Sequence, residues 1–404
     1  MSDRKVYLVN GSRTPIGSFG KSLRSVAVEN LLTHTLIQTL KKTEFSAEEL
    51  DGIIAGHGYQ SSYAPNTARV AALAANISAA VPAMTVQRQC GSGMEAVNVA
   101  CEKILSGRGE AMLAGGAESM STIPYLIPGS FRWNGFVAKN FKQAKLWSRP
   151  TFFVLADNGI APRHMLKDMK TVYMSATAQR LADTYGITRE EADKYSLRSQ
   201  ELAQKAIESG RFDLEIDAFL VPNRGFFSKD EHPRRTSLEK LSKLSSVMGT
   251  RDITAGNSSG INDSACTVLV VSGAKLQKMN TEPLAQIIDW TVAGVDPEQM
   301  GLGPVAAINK LLARTGLSLK DIDLFEINEA FAAQYLACEK LLKLDREKVN
   351  VNGGAIALGH PIGMSGTRVL LTLANELKNR NLKRGIASLC IGGGMGIATL
   401  IERV

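Results

Sequence analysis

The chain has 404 residues, 44% hydrophobic and 21% charged, the make-up of a soluble globular protein with a large core and about two to three domains. Its formal net charge is +8, and residues 131–170 hold eight basic against two acidic side chains, a patch that a polyanionic small molecule would favour, although a solvated face or a partner contact is the commoner meaning of such a run. No zinc-ligand spacing, basic helix or stacking-aromatic motif accompanies that patch, which argues against nucleic acid, and no run reaches the ~18 apolar residues that span a bilayer.

The first predicted element is a strand over Lys5–Asn10, followed by strands at Gly52–Ala55 and Ala111–Ala114 with segments of helical period at Ala68–Ala75 and Met94–Leu105 between them. Residues 121–250 read differently. They hold the basic patch, an aromatic stretch around Trp133, Trp147 and Pro150, and amphipathic helices, one opening on a capping box at Thr188 and Glu191 and ended by Gly210. Strands return at Thr267–Val271 and Ile386–Leu389, so the class is α/β, with buried strands covered by helices. A faint repeat runs through the chain. TEFSAEELDGI at 43–53 aligns with TGLSLKDIDLF at 315–325, and the stretch Ser92–Leu113 returns at Ser365–Leu389, which implies two half-structures of one topology. The domains expected are therefore 1–120 plus 251–275, an inserted loop domain at 121–250, and 276–404.

Five cysteines, Cys90, Cys101, Cys266, Cys338 and Cys390, are odd in number and widely spaced, which predicts free thiols in a reducing compartment, the cytoplasm by default. Cys90, in VQRQCGSGMEAV, stands at the start of a predicted helix whose dipole favours thiolate; it is a candidate nucleophile or a buried cysteine beside a tight turn. In EINEAFAAQ, Asn328 follows an apolar strand and, taken alone, reads best as a helix cap. His360 lies between Gly359 and Pro361 in a glycine-rich loop, the setting of a presented base. Cys390 ends a strand before Gly392, Gly393 and Gly394, a stretch that turns the chain tightly or aims N–H groups at an oxyanion.

Taken together, QCGSGMEAV, NEAF, GGAIALGHPIGMSG and CIGGGMG, in this order, resemble the thiolase family, as do SRTPIGSFG, GGAESMS and TAGNSSGINDSA. The resemblance covers essentially the whole chain. It implies two duplicated α/β halves forming a layered α-β-α-β-α core with an inserted loop domain, and acyl transfer between coenzyme A thioesters through an acyl-cysteine. Cys90 would be acylated, His360 would take its proton, and Cys390 would be the base toward a second acetyl-CoA. One thioester oxygen would sit between His360 and a water held by Asn328, and the acyl oxygen would face the N–H groups of Cys90 and Gly392. Ser259, Ala255, Ala330 and Phe331 would contact the pantetheine arm, and Arg234 would lie near the nucleotide end. Met174 and Met300 match positions that wall off a short acyl pocket, favouring formation of acetoacetyl-CoA over cleavage of longer 3-ketoacyl chains, while Tyr173 stands where many short-chain members carry a histidine. The partners implied are acetyl-CoA, acetoacetyl-CoA, CoA and further copies of the chain, as a homotetramer or homodimer. No metal or redox cofactor is implied. A catalytically silent scaffold is disfavoured by the presence of all four chemical positions, and a ketosynthase by the second thiol.

Overall fold

The computed structural model describes residues 4–61, 63–124 and 173–404. The basic patch and the stretch around Trp133, Trp147 and Pro150 lie outside the described residues. Strands run in chain order as β1 (Val6–Arg13), β2 (Gly17–Ser18), β3 (Gly52–Gly56), β4 (Ala83–Val86), β5 (Ala111–Ser119), β6 (Phe219–Val221), β7 (Gly225–Phe227), β8 (Asn262–Ser272), β9 (Ala285–Gly294), β10 (Leu324–Ile327), β11 (Arg384–Ile391) and β12 (Met395–Glu402). The helices are α1 (Val28–Thr43), α2 (Thr67–Ala74), α3 (Ser92–Leu105), α4 (Met174–Tyr185), α5 (Arg189–Glu208), α6 (Leu238–Ser242), α7 (Gly273–Leu276), α8 (Gly303–Thr315), α9 (Ala332–Leu342), α10 (Ala355–Leu358) and α11 (Ile362–Asn379).

Strand order exposes the duplication. One half reads β4-β3-β5-β8-β1, parallel from β4 to β5 and antiparallel beyond. The other reads β10-β11-β12-β9 with the same senses, and a parallel bridge from Phe325 to Val349 marks the counterpart of β4. β1 and β9 pair across the join through Val6–Leu8 and Ala285–Ile287.

The layers follow from what each helix touches. α1 packs on β1, β5 and β8, α8 on β9, β11 and β12, and between them α3 and α11 touch each other and strands of both halves. α11 is buried at every residue from Ile362 to Leu377, polar ones such as Arg368 and Glu376 included, because it has sheet on both sides. The order is thus helix, sheet, helix, sheet, helix. α5 carries the capping box expected at Thr188 and Glu191, and Gly210 beyond it is left-handed at φ 70°. Among the described residues no helix is long and apolar enough to cross a membrane.

Candidate active site

Past β4 the chain turns sharply: Gln89, though not a glycine, has φ 44°. Ser92 braces this turn, its Oγ accepting from the Arg88 N–H at 2.8 Å and donating to Gln89 O at 2.6 Å. Cys90 therefore stands two residues ahead of α3, at the positive end of its dipole. Burial nevertheless decides its state. Loss of water pushes the Cys90 thiol up to about 11, although the N–H groups of Gly392 and of Cys90 itself pull the other way. The expectation of a dipole-favoured thiolate is corrected: a helix end is worth about 0.3–1 kcal/mol, less than desolvation of a charged sulfur, so the resting group is a thiol that needs a base.

His360 stands likewise two residues ahead of α11. Gly359 has φ 104°, and a Cβ there would come within 2.5 Å of the Asn262 carboxamide, so only glycine fits. Asn262 Oδ1 accepts the His360 backbone N–H at 3.0 Å. Ser365 Oγ donates to Pro361 O at 2.7 Å, so toward His360 Nδ1, also at 2.7 Å, it accepts. The proton is thereby held on Nδ1, and Nε2 carries the lone pair, with no closer partner than the Asn328 amide at 3.5 Å among the described residues. Burial, aided by the charge of Arg368, lowers His360 to about 4, so the ring is a neutral base.

The two helix starts meet because α3 and α11 cross closely. A Cβ on Gly366 would stand 2.4 Å from Met94 N, so glycine sets the distance of approach. From the other half, β11 delivers Cys390 and then turns through Gly392–Gly394 into β12. That stretch is a strand-to-strand turn, and its Gly392 N–H reaches the Cys90 thiol. Cys390 is 1% exposed and raised well above the usual thiol range by burial, then by Cys90 and Cys338.

Asn328 does not cap a helix, which corrects the reading of that residue alone. The helix beyond it starts at Ala332 with Phe331 at the cap, while the Asn328 N–H donates to Ser388 O at 2.9 Å. Its Nδ2 lies 3.5 Å from His360 Nε2, and its buried Oδ1 has no partner among the described residues, the condition of a group that serves a water or a ligand. Around Cys390, Met300 and Ala330 form a buried apolar group with Met174 and Phe331 packed against it, and Met174 Sδ lies 3.7 Å from where a Gly392 Cβ would be. Ser259 joins through its N–H to Ala330 O at 3.0 Å. None of these contacts includes Ala255, Tyr173 or Arg234. Ala255 is exposed, Tyr173 is 40% exposed ahead of α4, and Arg234 donates its N–H to Gln200 Oε1 at 2.9 Å.

Three supporting side chains were not singled out from the sequence: Ser365, Asn262 and Glu118. Glu118 Oε2 accepts the N–H groups of Gly58 at 2.9 Å and Gly363 at 2.8 Å, tying the end of β5 to the start of α11. Each lies inside a block already noted, GHPIGMSG, TAGNSSGIND and GGAESMS, but only spatial contact reveals what it supports.

Comparison with known proteins gives a consistent picture. A family model described as thiolase, N-terminal domain, matches residues 6–274, and one described as thiolase, C-terminal domain, matches residues 281–403. An acetyl-CoA acetyltransferase of Syntrophomonas wolfei is 41% identical over 407 residues, covering 99% of each chain. The crystal structure of the Bacillus anthracis acetyl-CoA acetyltransferase superposes with a TM-score of 0.91 at 43% identity, and that of human mitochondrial 3-ketoacyl-CoA thiolase with 0.89 at 38%, each covering 99% of both chains.

Proposed function

From the premise that the chain belongs to the thiolase family, we propose that it condenses two acetyl-CoA to acetoacetyl-CoA and CoA, and runs the reverse thiolysis, through an acetyl group on Cys90. The observation that carries this reading is the convergence on one sulfur. The N–H groups of Gly392 and Cys90 point at the Cys90 thiol, with the Cys390 thiol near enough to feel its charge. Two N–H groups that flank the sulfur also flank the oxygen of an acyl group attached to it.

The chemistry then balances on these side chains, with coenzyme A thioesters as substrates. Cys90 sulfur attacks the thioester carbon and gives its proton to His360 Nε2. The bond to CoA breaks, and the departing sulfur takes the proton of Cys390. In the second half, the Cys390 thiolate removes a methyl proton from the next acetyl-CoA. The resulting carbanion forms the new C–C bond as the Cys90–acetyl bond breaks, and Cys90 recovers its proton from His360. Burial suits Cys390 to this task, since a thiol that resists ionisation gives a strongly basic thiolate, which a weak carbon acid requires. Asn328, its Oδ1 unpartnered among the described residues, holds the water that shares the thioester oxygen with His360. Met174 and Met300, packed at Cys390, limit the acyl chain to a short one. The open edge of β4, half-buried along its length, supports pairing of copies as a dimer or dimer of dimers. Five free cysteines suit a reducing compartment such as the cytoplasm.

Mass spectrometry of peptides after incubation with acetyl-CoA tests the reading. One acetyl group is expected at Cys90. Cys390→Ser should retain that label while losing condensation by about 10²- to 10⁴-fold; label at another residue, or full synthesis by this variant, would overturn the scheme. Thiolysis rates for acetoacetyl-CoA and a longer 3-ketoacyl-CoA separate the two thiolase readings, and preference for the longer chain would contradict the methionine wall.

A further inference from the structure

A second concave site lies far from the thiols. At the C-terminal end of α11, a cavity of about 470 Å³ opens between that helix, the second half of α5 and residues 347–352. Glu376 and His360 flank opposite ends of α11, so about 21 Å of helix separates this cavity from the catalytic histidine. Its walls carry four cations, Arg198, Lys205, Arg211 and Arg380, against two carboxylates, Glu347 and Glu376.

The carboxylates do not use up the cations. Glu376 Oε2 takes the Arg211 Nε–H and, at 2.8 Å, Asn352 Nδ2, while Oε1 takes the Arg380 Nε–H. Both its oxygens are therefore committed. Glu347 is 85% exposed and 3.9 Å from Arg198, too long and too wet to neutralise it. Arg198 spends Nη2 on a neutral acceptor, Arg346 O at 2.7 Å, and Lys205 forms no ion pair among the described residues. The Arg211 side chain is 9% exposed, yet its Nη2 is buried without a hydrogen-bond partner among the described residues. A buried guanidinium N–H left unmet is unfavourable, so a small side-chain shift that gives it an oxyanion acceptor is favoured.

We propose that this cavity is a binding site for a compact, multiply charged oxyanion of the phosphoryl type, separate from the thiol site. The volume falls within the range of about 300–1,000 Å³ of small-molecule pockets. Guanidinium forks match phosphoryl oxygens two at a time, and a net excess of two positive charges on the walls selects a dianion over a neutral molecule. The site does not depend on the thiolase chemistry, because none of its lining residues belongs to that cluster.

Inorganic pyrophosphate titrated into the full-length protein at low ionic strength, followed by calorimetry, tests this. One equivalent should bind. The double variant Lys205→Gln/Arg380→Gln, which removes two exposed cations, one of them the partner of Glu376 Oε1, should weaken binding about tenfold or more while its circular dichroism matches the wild type. Arg211→Gln should weaken it as well, with circular dichroism reporting whether that buried change is tolerated, while Arg234→Gln should leave binding unchanged. The proposal is overturned if the wild-type protein takes up no pyrophosphate, if the double variant binds as the wild type does, or if Arg234→Gln alone abolishes the signal.

Discussion

At the scale of single residues, protonation state is the decisive property of this site, and burial sets it against the ordinary preference of each group. Cys90 is a thiol despite its helix dipole and His360 is neutral despite sitting near its usual titration range. The sign for His360 is clear: with its folded value lowered from 6.5 to about 4, the ring stays an unprotonated base throughout that interval and gains its proton only below it. The acid limb of Cys90 acylation should therefore fall near pH 4 rather than near 6.5, measured as the single-turnover rate against pH. Ser365→Ala removes the acceptor that holds the Nδ1 proton, and should lower that rate by about 10- to 100-fold with little change in KM for acetyl-CoA. A loss confined to KM would show that Ser365 serves substrate binding instead.

At the scale of elements, the site depends on two helices brought closer than side chains allow. Gly366→Ala would gain up to about 1 kcal/mol in helix propensity but would press a methyl group against Met94 N, at 2.4 Å, and Met94 Cβ, at 2.8 Å. Backbone cannot swing away as a side-chain end can, so the overpacking cost of about 1–3 kcal/mol wins. The variant should melt at lower temperature and acylate more slowly, because Cys90 and His360 ride on the starts of the displaced helices. Unchanged melting would show that the crossing has slack. Strand placement was legible beforehand at β1, β3, β5, β8 and β11, where continuous apolar runs mark strands buried on both faces. The crossing was not, since nothing local to Gly366 or to Met94 tells that the two meet.

At the scale of the molecule, one buried ionic cluster couples the sheet to the segment inserted between β5 and β8. Arg13, near the end of β1, donates Nε to Glu215 at 3.0 Å and both Nη groups to Asp230, at 2.7 and 2.9 Å, with the guanidinium wholly buried. Arg13→Met would strand two buried carboxylates, at a cost of about 3–5 kcal/mol. Urea unfolding should show the midpoint fall accordingly; a shift under about 0.5 kcal/mol, the scale of a surface substitution, would mean the cluster is not a stabilising link.

What the sequence determined by itself is what short-range pattern can encode: α/β class from apolar runs and helical periods, the repeat from aligned blocks, and the α5 start from Thr188 and Glu191, while glycine-flanked segments marked Cys90, His360 and Cys390 as candidates. Only the tertiary structure decided that Cys90 rests as a thiol, that Asn328 faces His360 rather than capping a helix, that Ser365 fixes the histidine proton, and that Arg211, beside a distant cavity, keeps a buried donor unmet among the described residues. The reason is physical. Propensity and turn chemistry act over a few neighbouring residues, whereas desolvation and hydrogen-bond partnership depend on atoms tens to hundreds of positions away along the chain, which do not meet until the layers pack.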